Sequence, residues 1–263
     1  MSSPPLLKVE NVSVRFGGLT AVNQVSFKVQ QGELLGLIGP NGAGKTTMLR
    51  AITGVVHASE GEVYLSGSPL VGLPIERRIR QGLSLSQQLV KPLRNMSLLE
   101  NVALAAGGHK TASPLRALKH VSNQDELALG FQMLEKVGIA DRAHQMPGTQ
   151  PLGILKRLEL ARALALKPQL FLLDEPLAGL NSAEARELAD TIAGIHQGGM
   201  TVVLIEHNLS EVMRLCQRLV VLDNGKKIGD GVPREVMNDP VVRAAYLGGD
   251  TLSSDRPLER QHA

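Results

Sequence analysis

The sequence contains a single cysteine, Cys216, in 263 residues, so no internal disulfide can form and a reducing compartment is expected. It has no tryptophan, only four phenylalanines and only two tyrosines. The core must therefore be aliphatic, and an aromatic at an exposed-looking position invites a specific explanation. No apolar run approaches the roughly 18 residues needed to cross a bilayer. The amino-terminal stretch MSSPPLLKVE has neither a basic start nor a long apolar centre, which argues against a secretory signal. The net charge of +3 is small and spread along the chain, unlike the clustered basic face of a nucleic-acid binder. These absences point to a soluble, cytoplasmic chain that works at a membrane only by docking onto something else. The length suits one large α/β domain or two small ones.

What is present is organised around GPNGAGKTT, residues Gly39, Pro40, Asn41, Gly42, Ala43, Gly44, Lys45, Thr46 and Thr47. The pattern is that of a phosphate-binding loop, G-x-x-x-x-G-K-[ST]. An apolar run, Leu34 to Ile38, precedes it as a strand, and Met48 to Ile52 follows it as a helix stopping near Gly54. Glycines let consecutive backbone N–H groups wrap a polyphosphate, and the helix start adds unsatisfied donors and partial positive charge. Lys45 supplies a point charge to the outer phosphates, and the Thr46 hydroxyl can ligate Mg²⁺.

Before this loop, Leu6–Phe16 and Val25–Val29 read as strands, and Glu62–Leu65 as another after it. From about Ile75 to Leu155 the texture turns helical, with a capped helix from Ser97 to Ala106 and an amphipathic one from Gln124 to Gly138. The basic stretch His109, Lys110, Arg116, Lys119 and His120 reads as a solvated loop. Leu170–Leu173 and Thr201–Ile205 are continuous apolar runs with a helix, Glu184 to Gly194, between them, which is the βαβ pattern of a parallel sheet. Arg218–Asp223, Asn224-Gly225 and Lys226–Asp230 form a hairpin pattern, since Asn-Gly favours a type I′ turn.

A nucleotide site also needs a second metal ligand and a group that activates water. Asp174 and Glu175 end a buried strand, where open α/β sheets place their ligands. Asp174 would hold Mg²⁺ and Glu175 would orient or deprotonate the attacking water. His207 follows the next apolar strand and suits a γ-phosphate contact. Gln88 offers a side-chain oxygen for Mg²⁺ and the water. The catalytic candidates are thus Lys45, Glu175 and His207, and the metal candidates Thr46, Gln88 and Asp174.

Taken together, these residues resemble the ATP-binding subunits of ABC transporters over almost the whole chain. GPNGAGKTT is similar to their Walker A, LFLLDEP (residues 170–176) to Walker B, Ala178–Asn181 to the D-loop, Glu206-His207 to the switch region and Gln88 to the Q-loop. Phe16-Gly17-Gly18, AGLN at 178–181 and the ending NDP…AYLG are similar to the branched-chain amino-acid type of importer ATPase. The resemblance implies an α/β P-loop NTPase fold with a mixed β core, an antiparallel β subdomain and a helical subdomain. It implies one domain at 6–248, with the core at about 6–88 and 156–248, helices at about 75–155, and a polar tail at 249–263. It also implies that Phe16 stacks on adenine, and that ATP and Mg²⁺ are bound. The implied partners are a second ATPase subunit (a different chain, or otherwise a second copy), two membrane permeases and, indirectly, a periplasmic binding protein, but no nucleic acid. The place would be the cytoplasmic face of the inner membrane. A lipopolysaccharide-type extraction ATPase is the alternative, and a soluble ABC protein acting on ribosomes or DNA a more distant one.

One departure stands out. The family's signature motif falls, without gaps, on Gln150-Pro151-Leu152-Gly153-Ile154, where only Gly153 survives. The resemblance implies that Pro151, Leu152 and Gly153 face the ATP of the opposite subunit. Pro151 has neither hydroxyl nor N–H to donate there.

Overall fold

The computed structural model describes residues 4–86, 91–107 and 124–248. Gln88, the basic stretch at 109–120 and the tail at 249–263 lie outside the described residues.

The centre is a six-stranded sheet in which four parallel neighbours carry the site. Strands β3 (Leu34–Ile38), β7 (Leu170–Asp174), β8 (Thr201–Ile205) and β9 (Arg218–Asp223) are flanked by β6 (Leu83–Ser86) and β10 (Lys226–Gly231) in the order β10-β9-β3-β8-β7-β6. Both faces are covered, so each central strand divides its residues between two cores. Leu34, Ile38, Phe171, Leu173, Val202 and Leu204 join helices on one face. Leu35, Leu37, Leu170, Leu172, Val203 and Ile205 face the other core. That second core also takes Met48, Leu49, Ala51 and Ile52 of α1 (Lys45–Thr53), along with a four-stranded antiparallel sheet. The antiparallel sheet has the order β2-β1-β4-β5, with β1 at Leu7–Phe16, β2 at Leu19–Val29, β4 at Glu60–Leu65 and β5 at Ser68–Pro69. On the helical face lie α3 (Leu98–Gly107), α4 (Gln124–Lys136), α5 (Leu152–Ala165) and α6 (Ser182–Gln197), with a short α2 (Ile75–Arg80) before β6. The chain closes with α7 (Leu209–Leu215), α8 (Pro233–Asn238) and α9 (Pro240–Gly248).

Local sequence explains most of these boundaries. Ser97 and Glu100 exchange hydrogen bonds at the start of α3, a capping box. Asn224 and Gly225 both adopt positive φ (45° and 76°), the turn that Asn-Gly favours between β9 and β10. Two strands differ from the sequence reading. β2 begins at Leu19 rather than Val25, directly across Gly17-Gly18 from Phe16. Its alternation is broken by register shifts and by Gln24 at φ 50°, which hides the first half. β6 interrupts the stretch expected to be helical. Its pattern is Leu-Ser-Leu-Ser, yet Ser84 is buried and donates its hydroxyl to the Ala163 carbonyl at 3.2 Å. A short strand with serines on a buried face carries almost no hydrophobic signal.

The carboxyl end of α1 is closed by an arginine. Arg78, on α2, is buried at 7% exposure. Its Nη1 donates to the carbonyls of Ala51 (2.9 Å) and Ile52 (2.8 Å), and its Nε donates to Leu73 (3.0 Å). Ala51 and Ile52 belong to the last turn of α1, whose carbonyls lack the i+4 partners of the helix interior. Replacing Arg78 with Met should therefore lower the unfolding free energy by about 2–3 kcal/mol. Arg78→Lys should recover only part, because one ammonium cannot reach all three carbonyls. Denaturant titration of the two variants against the parent chain reads both values.

Candidate active site

Strand register brings the site together. Asp174 pairs with Ile205, Gly36 with Leu204 and Ile38 with Val221. The carboxyl ends of β3, β8 and β7 therefore lie side by side. The loop after β3, Glu206-His207 after β8 and Asp174-Glu175 at the end of β7 meet at one edge.

The loop at 39–47 is shaped by two glycines that cannot be replaced. Gly39 sits at φ 147°, and a Cβ there would collide with the Leu222 carbonyl. Gly44 precedes α1 at φ 100°, and a Cβ there would collide with the carbonyl of Ala21. The β9–β10 turn buttresses the same loop, because Gly225 N–H donates to the Ala43 carbonyl at 3.1 Å. Lys45 is 5% exposed, and its Nζ donates to the carbonyls of Gly39 (2.7 Å) and Pro40 (2.9 Å). Burial pushes its pKa down, while the charges of Glu175 and Asp174 oppose that.

The acids complete the edge. Thr46 Oγ1 donates to Asp174 Oδ1 at 3.4 Å. Burial first, and then the Glu175 charge, push the Asp174 carboxyl above its usual range, with Arg50, Thr46 and Lys45 pulling the other way. Glu175 takes φ 49°, a left-handed conformation rare for a residue with a side chain. Its N–H donates to the Ile205 carbonyl at 2.9 Å, and its Oε1 lies 2.6 Å from His207 Nε2. The cleft above the loop, about 190 Å³, is lined by residues 41–47 with Ala21, Glu175 and His207.

The structure thus brings Lys45, Thr46, Asp174, Glu175 and His207 to one place. Thr46 and Asp174 offer adjacent hard oxygens. Among the described residues no cluster of three or more His, Cys, Asp or Glu could hold a metal ion. A site with so few protein oxygens suits Mg²⁺, which keeps waters and takes phosphate oxygens as ligands. Phe16 is half-exposed at the β1–β2 turn and does not line this cleft. Pro151 is the N-cap residue of α5 and contributes no side-chain cap. Leu152 and Gly153 open that helix beside other loops: Leu152 packs by Gly179, and Gly153 lies near the Glu184 carboxylate. None of the three lines the cleft of this chain.

Three residues have a part in this edge that the sequence reading does not assign to them. Asn181 caps α6, accepting from the N–H groups of Ala183 and Glu184 at 3.0 Å each, and Glu184 answers with a bond to the Asn181 N–H. The Asn-x-x-Glu spacing is a legible capping signal. Lys156 and Glu206 are each 5% exposed and lie beneath the edge. Their types alone suggest surface positions, and no local signal marks them as buried.

The ABC transporter family model matches residues 22–178. The chain belongs to the ABC transporter ATP-binding family. A second model, the branched-chain amino acid ATP-binding cassette transporter, matches residues 226–251. The ABC chain is 36% identical over 252 residues to the high-affinity branched-chain amino acid transport ATP-binding protein BraF of Pseudomonas aeruginosa, covering 94% of this chain and 99% of that protein. It is 37% identical over 257 residues to LivG of Salmonella typhimurium, a protein of the same description, with the same coverage of both chains. The lipopolysaccharide export ATP-binding protein LptB of Acidithiobacillus ferridurans is 33% identical over 244 residues, covering 92% and 97%. The solved ADP conformation of MJ1267, an ATP-binding cassette of an ABC transporter, superposes with a TM-score of 0.82 at 29% identity, covering 94% of this chain and all of that one.

The raised pKa of Asp174 has a consequence for stability. A carboxyl whose folded pKa is raised favours folding when protonated, so the penalty is full above the folded pKa and absent below the ordinary value near about 4. Asp174→Asn should therefore raise the thermal midpoint of the nucleotide-free chain at about pH 7.5 by roughly 2–4 °C. The gain should vanish below about pH 4. Melting curves across that pH range check both statements.

Proposed function

We propose that this chain binds ATP with Mg²⁺ and hydrolyses it to power an ABC importer of the branched-chain amino-acid type, taking up an amino acid or a related small polar or organic-acid substrate. The observation that carries the reading is the carboxylate–imidazole pair of Glu175 and His207, held 2.6 Å apart above a phosphate loop whose lysine is buried. The loop amides and Lys45 bind the phosphates. Thr46 and Asp174 would hold Mg²⁺, which, when bound, offsets charge on the outer phosphate oxygens. Glu175 orients the attacking water and takes its proton as the water oxygen bonds to the γ-phosphorus and the bond to ADP breaks. His207 steadies the γ-phosphate beside it. Phe16, at the tip of β1, would stack on adenine, and Gln88 would face Mg²⁺ and the water.

The match of residues 226–251 and the higher identities to BraF and LivG favour the importer over a lipopolysaccharide export ATPase. No helix among the described residues is long and apolar enough to cross a membrane. The chain works peripherally, at the cytoplasmic face of the inner membrane, on two permease subunits. A largely apolar groove of about 260 Å³ lies where Val55 and Ile75, both half-exposed, face Leu85 and Ala105. Arg162, in the wall of this groove, donates to the Lys91 carbonyl at 3.3 Å, in the stretch that would receive them.

In this reading each nucleotide site is shared by two ATPase subunits. The ATP on this loop meets the partner's signature, while Pro151-Leu152-Gly153 meets the partner's ATP. Losing two charge-assisted hydrogen bonds, at roughly 1.5–3 kcal/mol each, slows that second site by several hundredfold or more when they act in the transition state. The partner is then a different ATPase, and the ATP held by this chain is the one hydrolysed. Glu175→Gln should lower turnover of the full complex at least about 100-fold with ATP binding retained. The same change in the other subunit should cost far less. Near-normal turnover of the Glu175→Gln complex overturns the assignment.

A further inference from the structure

Beneath the catalytic pair lies a carboxylate with no role in the scheme above. Glu206 follows β8 directly and is 5% exposed. Its Oε1 accepts the N–H of Leu177 at 2.7 Å, in the turn after β7. Its Oε2 accepts the N–H of His207 at 3.1 Å, and the N–H of Asn208 also points to it. One side chain therefore ties together the loops that leave two adjacent parallel strands.

The surroundings show that this tie is built around a charge. Lys156, equally buried, comes from α5. Its Nζ donates to the main-chain carbonyl of Glu175 at 3.4 Å, and its charge offsets that of Glu206. Burial raises the Glu206 carboxyl, and the three backbone donors oppose that. A buried acid is retained at this cost only where its partners are satisfied. On the far side of His207, the Asn208 side chain accepts the Glu211 N–H at 3.2 Å and caps α7. The main chain of His207 is thus fixed on both sides. Glu175 is fixed as well, through its N–H to Ile205 and its carbonyl to Lys156 and to the Ala178 N–H at 3.2 Å.

We propose that Glu206 is a positioning residue for ATP hydrolysis: it holds the His207 backbone against the turn after Glu175, so that imidazole and carboxylate meet above the phosphate loop. It touches neither nucleotide nor water, and acts through His207. The proposal rests on the reading of this chain as an ATPase.

The test measures steady-state ATP turnover and thermal unfolding for the full-length chain in its complex. The forms compared are parent, Glu206→Gln, His207→Ala and the double variant. Glutamine keeps one acceptor oxygen but turns an NH₂ toward a backbone donor, which loosens one of the two loops. The expected result is a kcat about 10- to 100-fold lower for Glu206→Gln, with KM for ATP within about threefold. The double variant should be no slower than His207→Ala within about twofold, since both changes act through one ring. A purely structural role would instead lower the melting point and leave the kcat of the folded protein unchanged. Parental kcat in folded Glu206→Gln, or the full further loss on top of His207→Ala, overturns the proposal. Where Glu206→Gln does not fold, Glu206→Asp, which keeps the charge but shortens the reach, serves in the same comparison. A parent complex without ATP turnover would instead refute the ATPase reading itself.

Discussion

The constraint on which this molecule depends is the parallel register of β3, β8 and β7. Backbone groups in a sheet covered on both faces have no water to turn to, so their hydrogen bonds fix how far each strand runs. With Asp174 opposite Ile205, the strands stop level and their following residues share one edge. The phosphate loop, the two acids and the histidine come from segments far apart in sequence. The ladder makes them neighbours, and the division of each strand between two aliphatic cores prevents it from slipping. Scarcity of aromatics is no obstacle, because alternating Leu, Val and Ile fill both sides.

How much of this was legible in the sequence depends on range. The phosphate loop is contiguous, and its strand, turn and helix announce themselves. So do Asp174 and Glu175, because an apolar run that ends in two acids is visible without any partner. His207 could be read only because it repeats that position on the next strand. β6 carries no apolar alternation because Ser84 and Ser86 are buried polar residues, Ser84 satisfied by the Ala163 carbonyl. The early half of β2 was missed because Gln24 breaks its alternation. In the sequence Glu206 is only the neighbour of a histidine. Its meaning lies in N–H groups on another loop, which no single stretch displays.

The edge also concentrates unfavourable terms. Asp174 lies beside Glu175 and is partly withdrawn from water, Glu175 adopts a strained φ, and Lys45 is buried against backbone carbonyls. Natural sequences accept such conflicts where function requires them and stabilise the surroundings. Here the surroundings include the Gly225 bond to Ala43, the Asn181 cap and the Glu206 tie, each of which fixes a loop by its main chain.

Arg78 gives the phosphate loop a mechanical connection to the outside. Its guanidinium clasps the last turn of α1 from α2, whose Ile75 and Ile79 wall the apolar groove together with Thr53 and Val55. Groove wall and phosphate-binding helix are thus pinned like two arms of one lever. A segment pressing into the groove leans on the tail of the very helix whose head closes the glycine-rich loop. Force can pass either way along the roughly two and a half turns of α1.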